Sequence, residues 1–150
     1  MNQAAYIKEA VSIFNSINSY LLKYHFATLN HEIPPKQFMI MKYVYEVKKT
    51  KIQDVAEQFD LSMSSVSQLV KKLEADGYVT RSINPDNRRE TFLTLGGKGE
   101  DYFKEYERVD RYIMDHYYAQ LSIEETRQMR DIARKLQGIV VMDDSQGGDE

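Results

Sequence analysis

The side chains best suited to specific contacts fall in one short stretch. Ser64, Ser65, Ser67 and Gln68 carry hydroxyls and an amide, and Lys71 and Lys72 follow within a helical turn. On a helix, residues three and four apart are neighbours, so these groups share a face. Hydroxyls bond without bulk, and a helix lined with them is slim enough for a groove about 12 Å wide. A glutamine amide donates and accepts together, which is the pairing an adenine edge offers. Lysines one turn further on reach phosphate oxygens. Ser62 is suited to capping this helix, and with Met63 it stands at a helix N-terminus, which attracts anions. A second basic site follows at Arg88 and Arg89, beside the turn formers Asn84-Pro85-Asp86-Asn87. An arginine on such a turn can enter a narrow, electronegative minor groove.

These groups need elements to hold them. Val66, Leu69, Val70 and Leu73 recur at helical spacing and predict a helix over Met63–Ala75 with Ser62 as cap and Asp76-Gly77 as its end. A short helix over Gln53–Phe59, with Val55, Ala56 and Phe59 on one face, precedes it across the tight link Asp60-Leu61-Ser62. The pair reads as a helix-turn-helix. After Gly77 the period changes: residues 78–83 and 91–95 are strand-prone and predict a hairpin with Arg88-Arg89 at its tip. Upstream, Pro34-Pro35 opens a helix reaching about Lys48, with Phe38, Met41, Val44 and Tyr45 on its apolar face. The fold class is mainly α with a small β-hairpin wing, and the DNA-binding lobe spans about 34–96.

Long amphipathic helices flank this lobe. Ile7, Val11, Phe14, Ile17 and Leu21 predict one over 3–30. Residues 98–119 predict another. A last helix starts at the capping box Ser122-Ile123-Glu124-Glu125 and runs to about 141. The first and last helices have wide apolar faces and little of their own chain to cover them, so a second copy is the natural cover. The acidic, glycine-rich stretch 143–150 reads as a disordered tail.

Composition narrows the chemistry. The chain has 150 residues and no cysteine, which removes disulfides and thiolate metal sites. No stretch is apolar enough to span a bilayer and no signal peptide opens the chain, so a cytoplasmic location is expected. The net charge is −3, with eight basic against seven acidic residues between Lys48 and Glu90. Any case for nucleic acid rests on where the charges sit. His25, His31 and His116 lack ligand spacing, so no metal or cofactor is expected. No nucleophile elbow or phosphate loop is present, and no enzyme is expected.

The run Ile52–Phe59, the run Leu61–Val79 and the stretch Asn84-Pro85-Asp86-Asn87-Arg88-Arg89 with Leu95 and Lys98-Gly99 resemble the MarR family of winged-helix regulators. The resemblance covers about residues 6–141. It implies a symmetric dimer, joined through helices 3–30 and 98–141, on a pseudo-palindromic operator in double-stranded DNA. It also implies repression, and release by a small aromatic or hydrophobic effector held beside the long helices, with His25, Phe38, Tyr43 and Tyr106 as candidate lining residues. Two positions depart from the family pattern. Asn87 stands where an aspartate orients the arginine at 89, and Gly96 stands where threonine is usual. Asn87 keeps an acceptor but lacks charge-assisted strength, so a weaker hold on Arg89 is expected. The alternative reading is a winged helix whose surface binds another protein.

Overall fold

The computed structural model describes residues 2–30 and 33–146. The element order is α1 (Gln3–Tyr24), α2 (Ala27–Asn30), α3 (Pro35–Val47), β1 (Thr50–Lys51), α4 (Ile52–Gln58), α5 (Met63–Ala75), β2 (Val79–Ile83), β3 (Thr91–Leu95), α6 (Gly97–His116), a 3₁₀ turn (Tyr118–Gln120) and α7 (Ile123–Gln146). The chain divides into two units, Met1–Val109 and Asp110–Glu150, with α6 beginning in the first and ending in the second.

In the first unit the apolar stripe of each lobe helix turns to a common core. Ile40, Met41 and Val44 of α3, Val55 of α4, and Val66, Val70 and Leu73 of α5 have no exposed surface. The α5 residues follow the spacing i, i+4, i+7, so one face is wholly committed to packing and the opposite face is left for function. Val79 of β2, Leu93 of β3 and Phe103 of α6 close the core. Ser62 caps α5 as expected: its Oγ accepts from the Ser65 N–H at 3.1 Å. Asp60 makes the tight link before it at φ 50°, a left-handed conformation that aspartate tolerates.

The sheet has three antiparallel strands in the order β1-β3-β2. The expected hairpin is therefore a sheet with a third strand. β1 pairs Thr50 with Leu93 and Lys51 with Phe92. A two-residue strand carries no alternation to read, and Lys48–Lys51 looks like a polar helix end.

Three further boundaries differ from the sequence reading. The first helix stops at Tyr24 instead of reaching residue 30. There the Phe26 N–H bonds back to the Leu21 carbonyl at 3.1 Å, and the Phe26 ring packs 5.2 Å from Tyr106. Tertiary packing breaks the helix without a glycine or proline. In the second unit α6 ends at His116, short of Ala119, and Gln120 Nε2 donates to the His116 carbonyl at 2.7 Å. That side chain satisfies one of the terminal carbonyls. At the C-terminus α7 continues to Gln146, so 143–146 are helical and not disordered. Gly138 lies within that helix, which continues through it. Residues 147–150 of the expected tail, and His31, lie outside the described residues.

The capping box of α7 forms in full. Ser122 Oγ accepts from the Glu125 N–H at 3.1 Å, and Glu125 accepts from the Ser122 N–H at 2.7 Å. The backbone N–H of Ser122 holds the Glu125 carboxyl below its ordinary range.

Gly77 ends α5 at φ 81°, a left-handed cap open chiefly to glycine. Gly96 explains one departure from the family pattern. A Cβ there would lie 2.4 Å from the Gly77 carbonyl oxygen. The strand end and the helix cap meet at van der Waals distance, held by Gly96 N–H donating to Tyr78 O at 2.9 Å, so threonine has no room.

Candidate nucleic-acid interface

The groups singled out on α5 lie on its exposed side, save that Ser67 is half-buried. Ser62 and Ser65 are occupied with each other. The Ser62 hydroxyl donates to Ser65 Oγ at 2.9 Å while accepting the Ser65 N–H. The Ser65 O–H is left to donate outward, and the N–H groups of Met63 and Ser64 remain at the open helix end. Ser64, Gln68, Lys71 and Lys72 project further along the same face. Among the described residues no carboxylate pairs with Lys71 or Lys72, so their charge is available to an anion.

The wing turn is built from its own polar side chains. Asn84 Oδ1 accepts from the Asp86 N–H at 2.9 Å, and Asn87 Oδ1 accepts from the Arg89 N–H at 3.2 Å. Each asparagine closes a local turn two residues on. The Asn84 N–H donates to the Glu90 carbonyl at 3.0 Å and shuts the loop at its base. Asn87 thus holds Arg89 by the backbone and leaves its guanidinium alone. Arg88 and Arg89 are exposed, and among the described residues neither is ion-paired.

Recognition helix and wing meet in one cleft. A cavity of about 220 Å³ is lined by Met63 and Ser67 of α5, Arg81 of β2, Arg89 and Glu90 of the wing, Thr91 of β3, and Lys51, Ile52 and Gln53 at the start of α4. Of the ten residues singled out, the cleft gathers Met63, Ser67 and Arg89. Ser64, Ser65, Gln68, Lys71 and Lys72 continue on the helix face beside it, Ser62 is the cap, and Arg88 stands on the wing turn outside it.

Sequence reasoning missed the ion pairs that frame this cleft. Arg81 donates to both Glu74 oxygens, at 2.9 Å each, and ties β2 to the end of α5. The pairing keeps the Glu74 carboxyl below its ordinary range. Lys51 Nζ lies 3.0 Å from Glu90 Oε1, and Asn84 Nδ2 donates to Glu90 Oε2 at 2.8 Å. Lys51 first and Asn84 second hold the Glu90 carboxyl low. The Lys51–Glu90 pair joins residues 39 apart in the chain, and the Arg81–Glu74 pair joins β2 to the helix before it.

A second cavity sits at the ends of α1 and α3. It measures about 430 Å³ and is lined by Leu22, Phe26, Leu29, Ile33, Pro35, Phe38, Tyr102 and Tyr106. Of the four candidate effector residues it gathers two, Phe38 and Tyr106, whose rings are 6.4 Å apart. His25 and Tyr43 are not in its lining. Tyr43 packs edge-on against Phe59 at 5.6 Å, and His25 lies 6.3 Å from Tyr20. The helical period places Tyr43 on another face of α3 from Phe38.

A helix-turn-helix whose second helix shares a cleft with the arginine-bearing turn of a small antiparallel sheet defines a winged-helix protein. Residues 33–91 match the model of the MarR family. Over that stretch the chain is similar to the MarR regulators, and the relatives it matches are transcriptional regulators. It is 26% identical over 114 residues to the HTH-type transcriptional repressor MdtR of Bacillus subtilis, covering 76% of this chain and 74% of that one. Transcriptional regulator Tm0710 of Thermotoga maritima is 28% identical at a TM-score of 0.59, with 92% of this chain and 98% of that one covered. Streptococcus pneumoniae FabT, solved in complex with DNA, shares the fold at a TM-score of 0.72 and 19% identity, over 93% and 97% of the two chains. Among the described residues no helix is long and apolar enough to cross a membrane.

Proposed function

We propose that the protein is a homodimeric repressor that occupies a pseudo-palindromic operator in cytoplasmic DNA and performs no catalysis. One observation carries the reading: Ser67 of the recognition helix and Arg89 of the wing line a single cleft, with unpaired lysines beside it. A major groove would receive Ser64, Ser65, Ser67 and Gln68, and the adjacent minor groove Arg89 or Arg88. Lys71 and Lys72 would take phosphates, with the open N-terminus of α5 at Ser62 and Met63 adding a further anion contact. MdtR is a repressor and FabT has been solved on DNA, which supports the same reading here.

Exposed apolar surface supports the dimer. α1 buries none of its residues and presents Ile7, Val11, Phe14 and Ile17. α7 presents Ile132, Leu136, Ile139 and Val140. Faces of this kind are covered by a partner chain in stable proteins, and a two-fold pairing sets two recognition helices about one helical turn apart on DNA. The apolar cavity at Phe38 and Tyr106 has the size and lining of a small-ligand site. A small aromatic or hydrophobic effector bound there would favour one spacing of the recognition helices over another and so change DNA affinity.

Selection of bound fragments from random duplex DNA tests this. Recovery of an inverted repeat with half-sites about one turn apart is expected. Failure to enrich any sequence would overturn it in favour of a winged helix that binds another protein.

A further inference from the structure

We propose that Glu90 is a positioning residue for Arg89, and that it sets operator specificity by bolting the wing to the start of the helix-turn-helix. The inference rests on the DNA-binding reading above.

Glu90 is a carboxylate in a cleft proposed to face phosphate, where a negative charge opposes binding. Its surroundings account for its presence. One oxygen accepts from Lys51 at 3.0 Å and the other from Asn84 at 2.8 Å. Asn84 begins the wing turn and Glu90 ends it, so the carboxylate clamps both ends of the loop. Lys51 lies on β1 and is also the cap residue of α4, the first helix of the helix-turn-helix. The carboxylate therefore joins the wing loop directly to the element that carries the recognition helix. Lys49 reinforces the same junction, with its ammonium 4.1 Å above the Phe92 ring.

Arg89 immediately precedes Glu90 in the chain, and its guanidinium has no carboxylate of its own among the described residues. Its direction is inherited from the backbone that Glu90 anchors and Asn87 closes. A free guanidinium on a fixed base loses less freedom on reaching a groove than one on a loose loop.

Glu90→Gln tests this, because it keeps shape and removes the ion pair. Affinity for the selected operator is expected to fall about fivefold. Affinity for random duplex is expected to hold or rise, since a negative charge has left the surface. In an Arg89→Ala background the same substitution is expected to leave operator affinity unchanged. Amide hydrogen exchange without DNA adds a readout: faster exchange at residues 84–90, with core amides unmoved, separates a loosened wing from a destabilised fold. If the wild-type chain selects an operator and Glu90→Gln binds it equally well, the assignment to Glu90 fails alone. A rise in operator affinity would likewise overturn it, leaving only the charge effect. If the wild-type chain selects no sequence, the DNA-binding reading fails and takes this role with it.

Discussion

Raising the salt concentration offers the sharpest quantitative check on the interface. Cations already neutralised by protein carboxylates release few counterions when DNA arrives. Arg81 is held by Glu74 and Lys51 by Glu90. Lys71, Lys72, Arg88 and Arg89 are not ion-paired among the described residues. These four make eight in a two-fold dimer, so log K should fall against log salt with a slope of about −7. Between 50 and 200 mM salt that is a loss of about ten-thousand-fold. Fluorescence anisotropy on a labelled operator across that range reads the slope directly. Lys72→Gln removes two contacts per dimer and should flatten it by about 2. A slope steeper than about −11 would mean that Arg81 and Lys51 leave their glutamates on binding. A slope shallower than about −2 would refute the assignment of these four residues to phosphates and grooves.

Four other outcomes follow from the same geometry. Gln68→Ala should relax base preference at one position in each half-site, and an unchanged preference across operator variants would remove Gln68 from base readout. Gly96→Thr restores the residue usual in the family but drives a Cβ to 2.4 Å from the Gly77 carbonyl; a loss of about 3 kcal/mol in denaturant unfolding is expected, and wild-type stability would contradict the close approach. Ser122→Ala should cost about 1 kcal/mol through the lost cap; the Glu125 half of the box, with its carboxyl held below the ordinary 4.5, contributes above that pH and loses its contribution as pH falls through the lowered value, which an acid titration of thermal unfolding would detect. A phenolic ligand filling the cavity at Phe38 and Tyr106 should add about 2.7 kcal/mol of stability at a hundredfold excess over its Kd, less in Phe38→Ala, and a melting profile unmoved by such compounds would count against an effector site.

What could be read from the sequence was local. The α5 helix, its Ser62 cap and its Gly77 stop each depend on residues within one or two turns, and they appear where the spacing puts them. The same is true of Val79–Ile83, Thr91–Leu95 and the Ser122 box. What could not be read depends on contacts across the fold. β1 is two residues long and exists because β3 passes beside it. The end of α1 at Tyr24 is set by where the Phe26 ring packs. Of the site, the exposed polar face of α5 was legible from its hydroxyls. The cleft was not, because Ser67 and Arg89 meet only through the sheet. Arg81 and Lys51 were hidden for the same reason, since their glutamates lie 7 and 39 residues away in the chain.

The two departures from the family pattern have separate causes in this fold. Gly96 is steric, since the contact of β3 with the Gly77 cap leaves no space for a side chain. Asn87 is electrostatic in its consequence. An aspartate at 87 would offer Arg89 a carboxylate and draw part of its charge back to the protein. Asn87 keeps the backbone acceptor that shapes the turn and withholds that charge. Rigidity then has to come from elsewhere in the wing, and the carboxylate that supplies it, Glu90, is neutralised by Lys51 at the base of the loop. The negative charge needed to hold the wing is displaced from its tip to its root. Arg89 is left with its full charge for DNA, and the cost is an acidic group whose burden on binding depends on a single lysine.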